Sequence, residues 1–368
     1  MAQPRRVVQL IQGLAVGGLE RVVVDLCRGL DRDRFAPVVC CYDALGPMTE
    51  PLSAADVPTV LEPRRPGKDW RYPARLARCL RRLGADVLHA HNQTAFFYGV
   101  LAAKLAGVGR IVYTEHDRSF PSPFAVRAGD RALALLTHNL FAVSDAIRRQ
   151  LADTEGISRD RIAVAYNGVD GARFDPGADP VAARTALDLP EAPTVGIVGR
   201  LSPEKNHALL FRALVRVPEA RLVVVGGGPM EQEVRAAAEQ AGVIGRVTFT
   251  GPRDDVPRLL AAMDVLVLCS TTEGFPLAPI EGLAAGRPVI ITDVGGCREI
   301  LAGADVGRLI PSGDEEALAA EIRALLNDDA LRRRMGAAAR AHFEARFSLE
   351  RMVAVYQAAY EGGRPCAE

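Results

Sequence analysis

The residues best suited to chemistry sit just after short apolar runs. Gly199-Arg200-Leu201-Ser202-Pro203-Glu204-Lys205-Asn206 directly follows the run 194–198. Two cations at a strand's carboxyl end, just before a helix, suit a diphosphate: Arg offers a fork of donors and Lys a mobile point charge. On spacing alone, a charged surface loop is the plainer alternative. The segment Ser270-Thr271-Thr272-Glu273-Gly274-Phe275-Pro276-Leu277-Ala278-Pro279-Ile280-Glu281 follows the run 264–269 and leads into a helical stretch. Pro279 suits a first turn. A helix start leaves backbone N–H groups aimed at an anion. Glu273 and Glu281 are eight apart, and carboxylates accept hydrogen bonds from sugar hydroxyls but repel phosphate. The whole suits a ligand with hydroxyls at two places and anionic charge between them, a nucleotide sugar. The structural alternative for Glu281 is a carboxylate favouring a helix start, worth about 0.3–1 kcal/mol. For Glu273 that alternative is weaker, because Gly/Pro-bearing loops often carry function.

Other candidates are less specific. Gly226-Gly227-Gly228-Pro229 lets backbone approach a ligand, but a tight strand–helix turn explains it equally well. Gly17 and Gly18, before the first helical stretch, suit close contact with a phosphate or an acceptor, or are simply turn glycines. His89 and His91 share one face of a strand that reaches them. No third ligand or paired Cys at useful spacing supports a zinc site, so His89, like His138, reads as a structural polar group. His116, between Glu115 and Asp117 at a strand's carboxyl end, is better placed for a role. Asp31-Arg32-Asp33 follows a helix and reads as a surface turn. The chain has no GxGxxG, no GK[ST] phosphate loop and no Ser-His-Asp order.

These residues are positioned by strands alternating with helices. Strand candidates are 6–11, 36–41, 86–90, 110–114, 139–143 and 162–166, with helical stretches such as 94–106 and 144–152 between them. A Pro/Gly-bearing stretch over 170–180 reads as a linker. The alternation restarts at 194–198 and continues at 221–225, 247–249, 264–268 and 288–291; 315–326, 330–345 and 349–360 are helical. The pattern predicts two doubly wound parallel-sheet α/β domains. Ligands of such sheets bind at the carboxyl ends of strands, and two sheets face to face would make a cleft.

With 368 residues, 49% apolar and 24% charged, the chain is long enough for two cores. Its 45 basic and 45 acidic residues exclude a broadly basic nucleic-acid binder. Residues 1–175 nevertheless carry +5 and the remainder −5. Much of that excess lies in 64–82, where Arg64, Arg65, Lys68, Arg71, Arg75, Arg78, Arg81 and Arg82 face only Asp69. Arg71, Arg75, Arg78 and Arg82 would share a helix face, with Leu76, Leu80 and Leu83 on another. That basic face, with Trp70 and Tyr72 nearby, suits anionic lipid or an acidic acceptor, or is a solvated face. Seven cysteines without CxxC spacing read as free thiols of a reducing compartment. With no apolar run long enough to span a bilayer and no signal-peptide core, the expected address is the cytoplasm.

Nearly the whole chain resembles glycosyltransferase family 4. The resemblance rests on Val16-Gly17-Gly18-Leu19-Glu20, His89-Ala90-His91-Asn92, Tyr113-Thr114-Glu115-His116, Val143-Ser144, Asn167-Gly168-Val169-Asp170, Gly199-Arg200 with Lys205-Asn206, and Glu273-Gly274-Phe275-Pro276 through Glu281-Gly282. The order and spacing of these pieces make it specific. It implies the GT-B fold: an N-terminal acceptor-binding Rossmann-like domain over 1–175, a C-terminal donor-binding one over 176–346, and a last helix within 347–368 packing back on the first. Arg200 and Lys205 would then hold the donor diphosphate, and Glu281 the ribose hydroxyls. Glu273 and the backbone at Phe275, Pro276 and Leu277 would bind the transferred sugar and phosphate. His116 would contact the sugar near the reacting centre. Gly17 and Gly18 would lie by phosphate and acceptor, and Arg253 by the nucleobase. Gly227 departs from the family's frequent Asp.

The implied reaction is a retaining transfer without bound metal or other cofactor. The donor is a UDP-sugar by preference, or a GDP-sugar; the acceptor is a glycan, a lipid-linked saccharide or a small molecule. Front-face attack would let the departing diphosphate take the acceptor's proton. A nucleotide-sugar 2-epimerase of the same fold, or a non-catalytic nucleotide-sugar binder, is the alternative. A nicotinamide oxidoreductase fails for want of GxGxxG after the first strand.

Overall fold

The computed structural model describes residues 3–117 and 122–363. The chain divides into two compact units: residues up to Gly168 together with those from Leu349 on, and Val169–Ser348.

In the first unit the strands are β1 (Arg5–Gly13), β2 (Phe35–Ala44), β3 (Thr59–Leu61), β4 (Val87–His91), β5 (Arg110–Glu115), β6 (Asn139–Ala142) and β7 (Ile162–Val164). They form one parallel sheet in the order β3-β2-β1-β4-β5-β6-β7. Leu10 pairs with Cys40 on one side and Ala90 on the other, which places β1 between β2 and β4 inside the sheet. β4 and β6 are buried throughout, as parallel strands between two helix layers are.

The second unit holds β8 (Thr194–Val198), β9 (Arg221–Val225), β10 (Val247–Gly251), β11 (Val265–Leu268), β12 (Val289–Thr292) and β13 (Gly307–Ile310). Their order is β10-β9-β8-β11-β12-β13, again parallel. In each sheet the strand order reverses beside its first strand, between β1 and β4 and between β8 and β11. Right-handed crossovers put the helices leaving on either side of such a reversal on opposite faces, and a crevice opens where they part. The two sheets are those the alternation predicts. The edge strands β3 and β13 escape that reading because pairing with β2 and β12, not a long apolar run, makes them strands.

Helices complete the layers. Helix Gly18–Gly29 packs against the C-terminal helix Leu349–Glu361, and Tyr72–Leu83 packs along Asn92–Ala106. On Tyr72–Leu83, Leu76 and Leu80 are buried while Arg78, Arg81 and Arg82 are exposed, which separates apolar from basic as the spacing predicts. Arg75 is the exception. It is half-buried and pairs with Asp69 at 2.9 Å and Glu62 at 3.7 Å, so it leaves the solvated face. No helix among the described residues is long and apolar enough to cross a membrane.

Candidate functional site

The second unit gathers the sequence-predicted ligands at its reversal point. The loop after β8 carries Arg200 and Lys205; the loop after β11 carries Glu273. Lys205 Nζ lies 2.5 Å from Glu273 Oε1, and Ser270 Oγ donates to the same oxygen at 2.6 Å. The amide of Thr271 donates to the Glu204 carbonyl at 2.8 Å. The Cys269 thiol lies 3.3 Å from the carbonyls of Lys205 and Asn206. The two loops are therefore one stitched structure. The Lys205 and Glu273 side chains stay partly open, 18% and 11% exposed. Arg200 is exposed at the start of the same loop.

Backbone geometry fixes the neighbouring loops. Gly226, after β9, has φ +134°, and a Cβ there would collide with the carbonyl oxygen of Gly199. Its amide bonds to the Gly251 carbonyl at 3.0 Å, and Leu201 N bonds to Gly227 O at 3.0 Å. The glycine run is thus a close crossing of three strand ends, which settles why small residues stand there. Gly295, φ +51°, meets the Glu273 carbonyl in the same way. Gly226→Ala is expected to cost about 1–3 kcal/mol in strain alone. At roughly 2–4 °C per kcal/mol for a unit of this size, that is a plain fall in Tm; an unchanged Tm would contradict the crossing.

Helix Leu277–Ala284 starts at Pro276 without a side-chain cap. Phe275 is buried against Phe347, ring centroids 5.7 Å apart, which anchors the loop. Leu277 is half-buried as the first helical residue. Glu281 is the fifth residue of this helix, beyond the first turn, so the helix-start reading of its carboxylate does not hold. Arg253, after β10, is exposed and held bidentate by Asp255, both contacts 2.7 Å. His207, the first residue of helix His207–Val215, escapes the sequence reading. It is buried beside Lys205 with neither ring nitrogen hydrogen-bonded, and burial holds it neutral, down to about 4.

The first unit has its own constellation at the β1/β4 reversal. Gly17 precedes helix Gly18–Gly29 in an extended conformation. A pocket of about 320 Å³ opens there, lined by residues at the β1, β4 and β5 ends, Gln12, His91, Asn92 and Asp117 among them, and by Glu20 of the helix. Beside it runs a buried hydrogen-bond chain. His116 Nε2 lies 3.0 Å from His91 Nδ1, and His91 Nε2 lies 2.8 Å from Gln9 Oε1. Gln9 Nε2 donates to Tyr360 Oη at 3.0 Å, which is 2.8 Å from His89 Nδ1. His89 Nε2 lies 2.8 Å from Thr114 Oγ1, which donates to Tyr356 Oη at 3.2 Å. Burial pushes the pKa of all three histidines down, His116 to about 3. The His116 amide is held by Asn92 Oδ1 at 3.2 Å; Asn92 itself sits at φ +66°, unusual outside glycine. Gln9, Tyr356 and Tyr360 escape the sequence reading, since locally they look like core positions of a strand and a helix. His138 is structural: its Nδ1 accepts the Ile111 amide at 3.0 Å. No group of three His, Cys, Asp or Glu among the described residues is placed to hold a metal ion.

Residues 16–173 match the model of Glycosyltransferase Family 4, and 183–342 that of Glycosyl transferases group 1. The D-inositol 3-phosphate glycosyltransferase of Mycobacterium marinum is 31% identical over 264 residues, 67% of this chain and 56% of the relative. That of Nocardia farcinica is 35% identical over 255 residues, 66% of this chain and 56% of the relative. The chain thus spans little more than half the length of these relatives. Among solved structures, a glycosyltransferase from Rickettsia africae aligns over 98% of both chains with a TM-score of 0.86 at 20% identity. Alr3699/HepE from Anabaena, solved with UDP and glucose, aligns over 97% of this chain and 99% of its own, TM-score 0.86, at 23% identity. These two likenesses establish the fold.

Proposed function

The chain belongs to glycosyltransferase family 4, and on that premise we propose that it is a retaining glycosyltransferase. It moves a sugar from a UDP-sugar, or a GDP-sugar, to a hydroxyl of a glycan, lipid-linked or small-molecule acceptor. The observation that carries this reading is Lys205 paired with Glu273 at the strand reversal of the second sheet, with Arg200 on the same loop. Arg200 and Lys205 neutralise the departing diphosphate, so the charge that grows in the transition state meets fixed cations. Two cations suffice for this role without a metal. Glu273 receives the hydroxyls of the transferred sugar and Glu281 those of the ribose. Phe275 and Leu277, on either side of Pro276, offer backbone N–H groups to the phosphate, and Arg253 lies on the nucleobase side. The UDP in the Anabaena structure favours a uridine donor.

Gly17 and Gly18 and the pocket at the β1/β4 reversal take the acceptor, with His116 reaching the sugar near the reacting centre. The relatives' name, D-inositol 3-phosphate glycosyltransferase, supports a polyhydroxyl acceptor. The protein works in the cytoplasm, where the cysteines among the described residues, buried and unbridged, stay reduced. Arg71, Arg78, Arg81 and Arg82, with Trp70 71% exposed, let the 64–82 segment touch an anionic membrane surface.

The test separates sugar from nucleotide. Glu273→Ala is expected to leave UDP affinity within about twofold and weaken the UDP-sugar by 10-fold or more, the loss of roughly one charge-assisted hydrogen bond. Glu281→Ala weakens both ligands. Calorimetric titration of UDP and a UDP-sugar checks this. Equal effects of both substitutions on free UDP would defeat the division of roles.

A further inference from the structure

The buried chain that ends at His116 has a direction, and the direction follows from one amide. Gln9 presents Oε1 to His91 and Nε2 to Tyr360. A carbonyl oxygen only accepts, so His91 Nε2 carries a proton and donates it. Burial keeps His91 neutral, so its Nδ1 is a lone pair and accepts from His116. His116 is neutral too, and its single proton is then on Nε2. Its Nδ1 is left as an acceptor with no partner among the described residues. On the other side, Tyr360 accepts from Gln9 and donates to His89 Nδ1, and His89 donates onward to Thr114. Apart from His116 Nδ1, each ring nitrogen of the chain has a partner, and reversing Gln9 would reverse every proton.

We propose that Gln9, His91 and Tyr360 are positioning residues that fix His116 as its Nε2–H tautomer, so that Nδ1, at the carboxyl end of β5, is presented as a hydrogen-bond acceptor for a sugar hydroxyl. The proposal rests on the transferase reading for the identity of that sugar. It gives the C-terminal helix a task in the reaction, because Tyr360 anchors the amide that orients the whole branch. A histidine with the opposite tautomer would present a donor and lose the hydroxyl proton as a partner.

Six histidines make the tautomers readable. The full-length protein is labelled with imidazole ¹⁵N, and long-range ¹H–¹⁵N spectra are recorded at pH 7. His138→Gln, His207→Gln and His342→Gln assign the other signals. His89, His91 and His116 are expected as neutral Nε2–H tautomers. A His116 that is charged or protonated on Nδ1 overturns the proposal. This readout needs no activity, so it stands apart from the transferase reading, which instead fails if the wild-type protein transfers no sugar.

Two variants extend the test to turnover. Gln9→Glu sets a carboxylate against His91 and favours its charged form, whose Nδ1–H then donates to His116 Nε2 and forces the opposite His116 tautomer. The titratable groups facing it are His91 and Tyr360, with His89, His116 and Cys27 behind them. Its kcat is expected to fall 10-fold or more, with KM for the donor and UDP affinity within twofold, and to recover as pH falls. The protonated carboxyl then restores one donor and one acceptor, as in the amide. A loss equal at all pH values would mark Gln9 as merely structural and overturn the proposal. Tyr360→Phe frees the amide and is expected to give mixed His116 tautomers and a kcat drop of similar size. Tyr356→Phe, beyond the branch leading to His116, is expected to cost less than twofold. Equal losses in the two tyrosine variants would also overturn it.

Discussion

Lys205→Ala is expected to lower sugar transfer by roughly 100-fold or more while the protein stays folded, and Arg200→Ala by a similar factor. Each removes a cation from the place where negative charge grows on the leaving diphosphate, a contact worth about 3 kcal/mol. The two losses differ in kind. Arg200 is exposed, so its removal leaves the native Tm alone. Lys205 also holds Glu273 at 2.5 Å; without it Ser270 is left as the carboxylate's neighbour, and the sugar contact loosens as well. Lys205→Ala and Glu273→Ala should therefore be far from additive: the double variant should be little worse than Lys205→Ala alone. Steady-state kcat and kcat/KM for the four proteins decide it. Wild-type rates in either cation variant would remove the diphosphate role. Strict additivity would mean that the ion pair has no part in holding the sugar.

The second large effect is on stability in mild acid. All six histidines are held below their ordinary value, chiefly by burial. For the three in the buried chain the consequence is direct. As pH falls through 6.5, the unfolded chain binds a proton at each, while the native chain binds none until much lower, about 3 for His116. Protons therefore favour the unfolded state, and the stability present above pH 6.5 is lost as pH falls. Each histidine costs about 1.4 kcal/mol per pH unit in that window, so the three together cost roughly 4 kcal/mol per unit. The urea midpoint should drop markedly between pH 7.5 and 5.5. An unchanged midpoint would contradict neutral, buried histidines.

The fold was legible because its signals are local. Parallel strands covered on both faces read as unbroken apolar runs, and Val265–Leu268 and Val289–Thr292 are such runs. Arg200, Lys205 and Glu273 were legible for a related reason: each lies within eight residues of a strand end, where a parallel sheet must place its ligands. What stayed hidden depends on residues far apart in the chain. Gln9 and Tyr360 are 351 positions apart, and nothing near either marks it as polar machinery rather than core. The spacing puts His91 on one strand face with His89 but does not show that its two nitrogens are taken by Gln9 and His116. Arg75 read as part of a solvated basic stripe. Asp69 and Glu62 pull it inward, and no spacing rule on its own helix reveals partners on another segment. His207 gave no signal at all, being a lone histidine after an asparagine; its bare ring nitrogens show only once the loop around Lys205 is folded.

The most direct test of the central claim is a thermal-shift panel of UDP, GDP, ADP and dTDP with their sugar conjugates, in the presence of EDTA. A ligand at 100 times its dissociation constant adds about 2.7 kcal/mol of stability. The account predicts a clear rise in Tm with UDP and UDP-sugars, undiminished by EDTA, and loss of that rise in the Lys205→Ala protein. No shift with any nucleotide, or a shift that EDTA abolishes, would contradict a metal-free nucleotide-sugar site at the ends of β8 and β11.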